Sequence, residues 1–229
     1  MRKSKSTLNY VQGDLFSGFG SDISAATPDE VSKEVLSMPD AKVIFYRNFF
    51  NEEESDELFR VLLEEINWRQ DKMNVYGKEV NLPRKTAWYG DSNKSYTFSG
   101  IHLEPEPWTP TLLQVKERIE EVAEVEFNSV LLNLYRNGSD GISWHTDAER
   151  ELGENPVIGS VSFGETRRFM FRHRYDKEVK SEVDLTHGSF LLMAGETQHF
   201  WQHQIPKTSR KIEARINLTF RLIIDQSSG

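Results

Sequence analysis

An α+β fold, helices first and an antiparallel β assembly after them, is predicted for this chain by three observations. Two stretches before residue 127 carry apolar residues at helical spacing. From Ser129 onward, short strand-like segments recur, separated by turn signals such as Asn137-Gly138 and His187-Gly188. The length of 229 residues suits one β-rich domain. Short strands at regular spacing imply a sandwich, a barrel or a jelly roll.

The elements follow in order. Residues 1–40 are rich in Ser, Gly, Asp and Pro and read as a flexible N-terminal tail. Residues 41–46 (AKVIFY) read as a strand. Asn51 has the character of an N-cap, with Glu53 and Glu54 in the first turn, and Leu58, Val61, Leu62 and Ile66 then follow at helical spacing. A second helix is predicted over 111–126, with Leu112, Val115, Ile119 and Val122 on one face. Strands are predicted over 129–135, 157–163, 168–174, 178–184, 189–193, 199–205 and 214–224. Residues 41–229 are thus expected to form a single domain.

Composition narrows the function classes. The chain has no cysteine, which excludes disulfides, zinc-thiolate sites and thiol nucleophiles and fits an intracellular protein, cytoplasmic or, in a eukaryote, nuclear. No apolar run approaches the ~18 residues that span a bilayer, and the basic, polar start is not followed by an apolar block as in a secretory signal. The formal charge of −8 argues against a simple electrostatic nucleic-acid binder. Its distribution is uneven: 51–66 hold seven acids and one arginine, whereas 163–180 hold six bases and three acids. A local basic surface is compatible with the acidic total.

The chemistry sits in four short stretches. His145 and Asp147 are two apart, so an extended backbone presents both on one face. His203 lies far downstream in a strand-like stretch, with His199 and His187 as competitors for the same part. Two imidazoles and a carboxylate can hold Fe(II) on one side and leave the other open. Arg215, Asn217, Thr219 and Arg221 alternate with Ile216, Leu218, Phe220 and Leu222, whose face is expected to be buried. Two arginines on the inward side of a strand are costly without anions. A dicarboxylate would satisfy them, and this suggests 2-oxoglutarate as co-substrate. Asn133 and Tyr135, again two apart, can offer an amide and a phenol to the same ligand.

The stretches NLYRNGSDGISWHTDAE, GSVSFGETRRFMFRHR, HGSFLLM, WQHQIPK and RINLTFR together resemble the AlkB-type DNA-repair dioxygenases over roughly residues 41–224. The resemblance implies a double-stranded β-helix (jelly roll) buttressed by the N-terminal helices. It implies that His145, Asp147 and His203 bind Fe(II), with His203 chosen by the match of Trp201-Gln-His203-Gln-Ile-Pro206 to a W-x-H-x-x-P segment. It implies that Asn133, Tyr135, Arg215, Thr219 and Arg221 bind 2-oxoglutarate, with O2 as the other co-substrate and no zinc.

Residues 75–100 resemble the nucleotide-recognition lid, about 70–100, of the branch that acts on duplex DNA. Val75, Tyr76 and Gly77 match a hairpin whose aromatic wedges into the base stack. Tyr96 and Phe98 share a strand face and can stack on a flipped base, and Arg84 and Lys85 can touch phosphate. The family's second acid is replaced by Ala148, which leaves Glu149 to contact the base. The implied reaction is oxidative demethylation of N1-methyladenine and N3-methylcytosine in DNA, duplex and single-stranded, by a monomer, with release of formaldehyde and succinate. An RNA demethylase, or a protein or small-molecule hydroxylase of the same chemistry, is the alternative. A non-catalytic β-sandwich binding module would leave Arg215 and Arg221 no reason to share a face.

Overall fold

A computed structural model describes residues 32–75, 77–92, 96–98 and 101–224. In chain order the elements are β1 (Lys33–Val35), β2 (Lys42–Tyr46), α1 (Glu52–Glu65), β3 (Lys72–Val75), β4 (Lys78–Asn81), β5 (Lys85–Gly90), β6 (Tyr96–Phe98), β7 (Ile101–Leu103) and α2 (Pro110–Ala123). There follow β8 (Ser129–Tyr135), β9 (Ile142–His145), a 3-10 turn (Arg150–Leu152), β10 (Ile158–Gly164), β11 (Arg167–His173), β12 (Lys180–Leu185), β13 (Ser189–Ala194), α3 (Thr197–Phe200), β14 (Trp201–Ile205) and β15 (Arg215–Arg221). Seven strands form a major sheet in the order β1-β2-β13-β10-β15-β8-β5, and four form a minor sheet in the order β12-β11-β14-β9. All the ladders are antiparallel. Two facing antiparallel sheets of this order make a jelly roll.

The helices form where their ends and faces require. Asn51 accepts from the Glu54 N–H at 2.9 Å while the Glu54 carboxylate accepts from the Asn51 N–H at 2.9 Å, a reciprocal cap on α1. Thr109 caps α2, and Pro110 occupies its first turn. Leu58, Leu62 and Ile66 of the α1 segment and Leu112, Val115 and Ile119 of α2 are buried in one cluster with Leu132, Val161, Phe163, Ile216, Leu218 and Phe220. The helices therefore cover the outer face of the major sheet. A second cluster joins Val43, Trp88, Tyr135, Ile158 and Leu191 of the major sheet to Phe169, Phe171, Leu185, Trp201 and Ile205 of the minor sheet. Tyr135, Phe169, Met193 and Ile205 of this inner cluster also line the cavity of the site.

Several expectations shift. The tail predicted through residue 40 ends earlier in the described residues, because Lys33–Val35 pair with β2 and Leu36 and Met38 are buried. Residues 1–31 lie outside the described residues. The strand predicted over 199–205 begins as α3, and the one predicted over 214–224 ends at Arg221. Leu222 is consequently 39% exposed, not buried with Phe220. Strands β5 and β9 were not anticipated, since neither carries a full alternating pattern.

Gly188 shows how tightly α1 is seated on the roll. Its φ is +70°, and a Cβ there would lie 2.3 Å from Ser55 Oγ and 2.5 Å from the Phe50 carbonyl oxygen. Gly188→Ala is expected to destabilise the protein by about 2–4 kcal/mol, adding left-handed strain to an overpacked contact. Urea unfolding measures this, and a loss below ~1 kcal/mol would refute the close packing.

Candidate functional site

Cross-strand register assembles the site. Arg215 lies opposite Tyr135, and Asn217 opposite Asn133, on the β15–β8 ladder. On the other side of β15, Thr219 faces Ser160 and Asn217 faces Ser162 of β10. The apolar residues of β15 turn to the helices, so its odd-numbered polar residues must enter the roll. The minor sheet supplies the opposing wall, where β14 pairs with β9 so that His203 and His145 are direct partners.

His145, Asp147 and His203 meet beside one cavity, their ligating atoms all within 4.8 Å of one another. The His145 and His203 ring centroids are 4.3 Å apart, and His203 Nε2 is 3.6 Å from Asp147 Oδ2. Nδ1 of His145 lies 2.8 Å from the Ser143 carbonyl oxygen, which makes Nδ1 the protonated nitrogen and frees Nε2 for a metal. Phe169 stacks on the His203 ring at 5.0 Å. Burial and the neighbouring His203 push His145 down to about 4, so its imidazole is neutral at physiological pH. Burial favours the neutral acid at Asp147, but Arg221 and the two imidazoles reverse this and hold the carboxyl well below its usual range. Two imidazoles and a carboxylate facing one cavity are a donor set that suits Fe(II). His187 and His199 are not in this group. His187 accepts from the Gly164 N–H at 2.7 Å and faces Asp56, while His199 lies in α3.

The cavity beside the triad is lined by Arg84, Asn133, Tyr135, Glu149, Ser160, Arg215, Asn217, Thr219 and Arg221 together with the three metal-binding candidates. Arg215 is 1% exposed, and its guanidinium donates to Ser162 Oγ at 2.9 Å. Its Nε and Nη1 are buried with no hydrogen-bond partner among the described residues. Burial pushes this guanidinium down to about 10 despite the Tyr135 ring 5.2 Å away. A buried cation with idle donors and no ion pair to a carboxylate among the described residues is a socket for an anion. Arg221 has a different engagement: it donates to Asp147 Oδ1 at 2.5 Å and so orients the carboxylate of the triad. Thr219 donates to Asn217 Oδ1, and Asn217 to Ser160 Oγ, which fixes the floor of the cavity.

Not every expected residue falls where its role required. Arg84, expected at a phosphate-contacting surface, is 4% exposed and donates to Asn133 Oδ1 at 2.7 Å inside the cavity. Lys85 is half-buried at the start of β5 and does not line the cavity. Glu149 does line it, and its Oε2 is buried without a partner among the described residues. The segment expected to serve as a lid forms the hairpin β3–β4, with Gly77 at φ +80°, and the pair β6–β7. Tyr76 and the side chains of Val75, Tyr96 and Phe98 lie outside the described residues. The basic 163–180 stretch is partly spent: Arg167 is buried and Arg168 is paired with Glu182 and Asp184.

Ser160, Ser162, Phe169 and Gln198 belong to the site's surroundings and escaped the sequence reading. The serines alternate with Val161 and Phe163, so period-two reading of β10 would have flagged them. Gln198 offers no such signal.

A jelly roll with this donor set beside an anion socket defines a class, the oxygenases that use Fe(II) and 2-oxoglutarate. The sequence profile of the 2OG-Fe(II) oxygenase superfamily matches residues 42–221, and the chain belongs to that family, in its AlkB-type group. It is 41% identical over 189 residues to the DNA oxidative demethylase ALKBH2 of Mus musculus, covering 78% of this chain and 79% of that one. It is 39% identical over 198 residues to the alpha-ketoglutarate-dependent dioxygenase alkB homolog 3 of Homo sapiens, covering 82% and 68%. A solved structure, "The structure of OsALKBH1", superposes with a TM-score of 0.61 over 83% of this chain and all of that chain; at 17% identity it supports the fold alone. No helix among the described residues is long and apolar enough to cross a membrane.

Proposed function

We propose that this protein removes N-methyl groups from N1-methyladenine and N3-methylcytosine in DNA by oxidation, releasing formaldehyde and succinate. The observation that carries the chemistry is the buried Arg215 guanidinium, with donors idle, in the cavity shared with His145, Asp147 and His203. The DNA substrate rests on similarity to relatives named DNA oxidative demethylase. His145, Asp147 and His203 hold Fe(II). Arg215 and Tyr135 take the distal carboxylate of 2-oxoglutarate, with Asn133 and Thr219 lining its path. Arg221 keeps Asp147 ionised and turned to the metal while bordering the same ligand. When bound, Fe(II) and 2-oxoglutarate together supply the oxidising power that inserts an oxygen atom from O2 into a C–H bond of the methyl group. The hydroxymethyl product then loses formaldehyde.

The chain's own part is placement. Glu149, with a carboxylate oxygen free to accept, meets the exocyclic amine of the target base, and Arg84, bonded to Asn133, lines the same cavity. Tyr96 and Phe98 stack on that base, Val75, Tyr76 and Gly77 form the wedge that replaces it in a duplex, and Lys85 lies at the lid's root. Such positioning can supply several kcal/mol of a barrier of this kind, on the order of 7–11 at the limit. The domain takes in β1 and carries the lid at about 70–100, and it acts as a monomer on duplex and single strands, inside the cell.

Succinate release measured with methylated DNA, methylated RNA and no nucleic acid tests the reading. Methylated DNA is expected to give the fastest turnover; preference for RNA, or equal rates without nucleic acid, would replace it with one of the alternatives. Tyr76→Ala is expected to lower repair of duplex more than of single strands, and equal losses would remove the wedge.

A further inference from the structure

Asp147 stands past the end of β9, and the β14–β9 ladder closes at the His203–His145 pair. Its backbone N–H therefore has no strand to bond to, although the residue is only 3% exposed. The N–H donates instead to Gln198 Oε1 at 2.9 Å, across 51 positions of sequence. A backbone N–H can only donate, so the amide oxygen of Gln198 must be the atom that faces it. Gln198 is itself 1% exposed, and among the described residues its Nε2 approaches only the Met193 sulfur, at 3.7 Å. A fully buried glutamine whose strongest contact is one backbone amide is placed there for that amide.

The support behind Gln198 is rigid. Gly195, at φ +57°, turns the chain from β13 into the short helix α3. Thr197 Oγ1 donates to the Ala194 carbonyl at 2.5 Å and accepts from the Lys42 N–H of β2 at 3.0 Å. The glutamine is thus anchored through its neighbour to two strands of the major sheet, while Asp147 hangs from the minor sheet. The side-chain bond joins the two sheets at the carboxylate between His145 and His203.

We infer that Gln198 is a positioning residue that holds the backbone at Asp147 so that its carboxylate meets the two imidazoles. The inference rests on the reading of Asp147 as a metal ligand. Loss of groups that orient a ligand in this way costs roughly 10–100-fold in metal affinity.

The test is calorimetric titration of the full chain with Mn(II). Gln198→Met, similar in volume but without the amide acceptor, is expected to bind Mn(II) about 10–100-fold more weakly than wild type. Gln198→Glu, which restores an oxygen acceptor, is expected to recover most of the affinity. Wild-type affinity in Gln198→Met overturns the inference, as does a Gln198→Glu as weak as Gln198→Met. Asp147→Ala separates the two levels: if it binds Mn(II) like wild type, the metal-site reading fails and not the role of Gln198. Should Gln198→Met not fold, hydrogen exchange of wild type decides. Protection of the Asp147 amide supports the bond, and exchange at the rate of an open amide overturns it.

Discussion

Asp147→Ala is expected to lose Fe(II)-dependent succinate production entirely and to bind Mn(II) at least a hundredfold more weakly, beyond the effect of merely disorienting a ligand. The carboxylate is the one acidic group among the three candidate ligands, and the His145 imidazole beside it is neutral. It also accepts from Arg221, so truncation removes one side of a buried ion pair, a change that costs about 3–5 kcal/mol of stability. Asp147→Asn separates the two effects. It keeps an oxygen for Arg221 and the shape of the residue while discarding the charge. It should melt within a few degrees of wild type yet turn over at a small fraction of its rate. Full turnover in Asp147→Ala would remove the triad from the mechanism.

Arg215→Met is expected to do two opposite things. The KM for 2-oxoglutarate should rise about 10–100-fold, because hydrogen bonds to a charged group contribute roughly 1.5–3 kcal/mol. The metal-free, ligand-free protein should become more stable. A guanidinium pushed down to about 10 by burial costs the fold a few kcal/mol to keep charged, and methionine fills a similar volume without that cost. Stability rising as co-substrate affinity falls is the signature of a site held at the expense of the fold. Steady-state kinetics and thermal unfolding of the apoprotein check the pair. An unchanged KM would mean that the anion socket serves another ligand. Lower apo stability would mean that the arginine is a structural partner and not a vacant one.

These expectations differ in how visible their causes are along the chain. The inward face of β15 could be read at once, because alternate side chains of an extended strand point to opposite sides whatever surrounds them. Ile216, Leu218 and Phe220 then place Arg215 to Arg221 inside. Asn51 as a cap and the buried rows of α1 and α2 were legible for the same reason, since a helix carries its period within itself. Leu222 broke the pattern only because the strand ends one residue earlier.

The choice among His187, His199 and His203 has no local answer in the sequence; only likeness to a family favours His203. Its physical reason is the pairing of β14 with β9, which sets His203 opposite His145, and the turn of α3, which takes His199 out of the strand. The burial of Arg84 was likewise hidden, because it depends on Asn133, forty-nine positions away. Gln198 reaches Asp147 only once two sheets have closed on each other.

Local periodicity, caps and the spacing of chemical groups were therefore written in the linear chain, and they pointed to an α+β sandwich, barrel or jelly roll with a His-x-Asp pair and an inward arginine face; the jelly roll and the third metal ligand followed from the family resemblance. Periodicity, caps and spacing are properties of single elements, set by backbone geometry and by the exclusion of apolar side chains from water. Which histidine joins the site, which arginine is left without a counter-ion and what holds Asp147 in place came from contacts between distant segments. Those depend on how strands register and which groups lose water together, and neither is encoded within reach of a short window of residues.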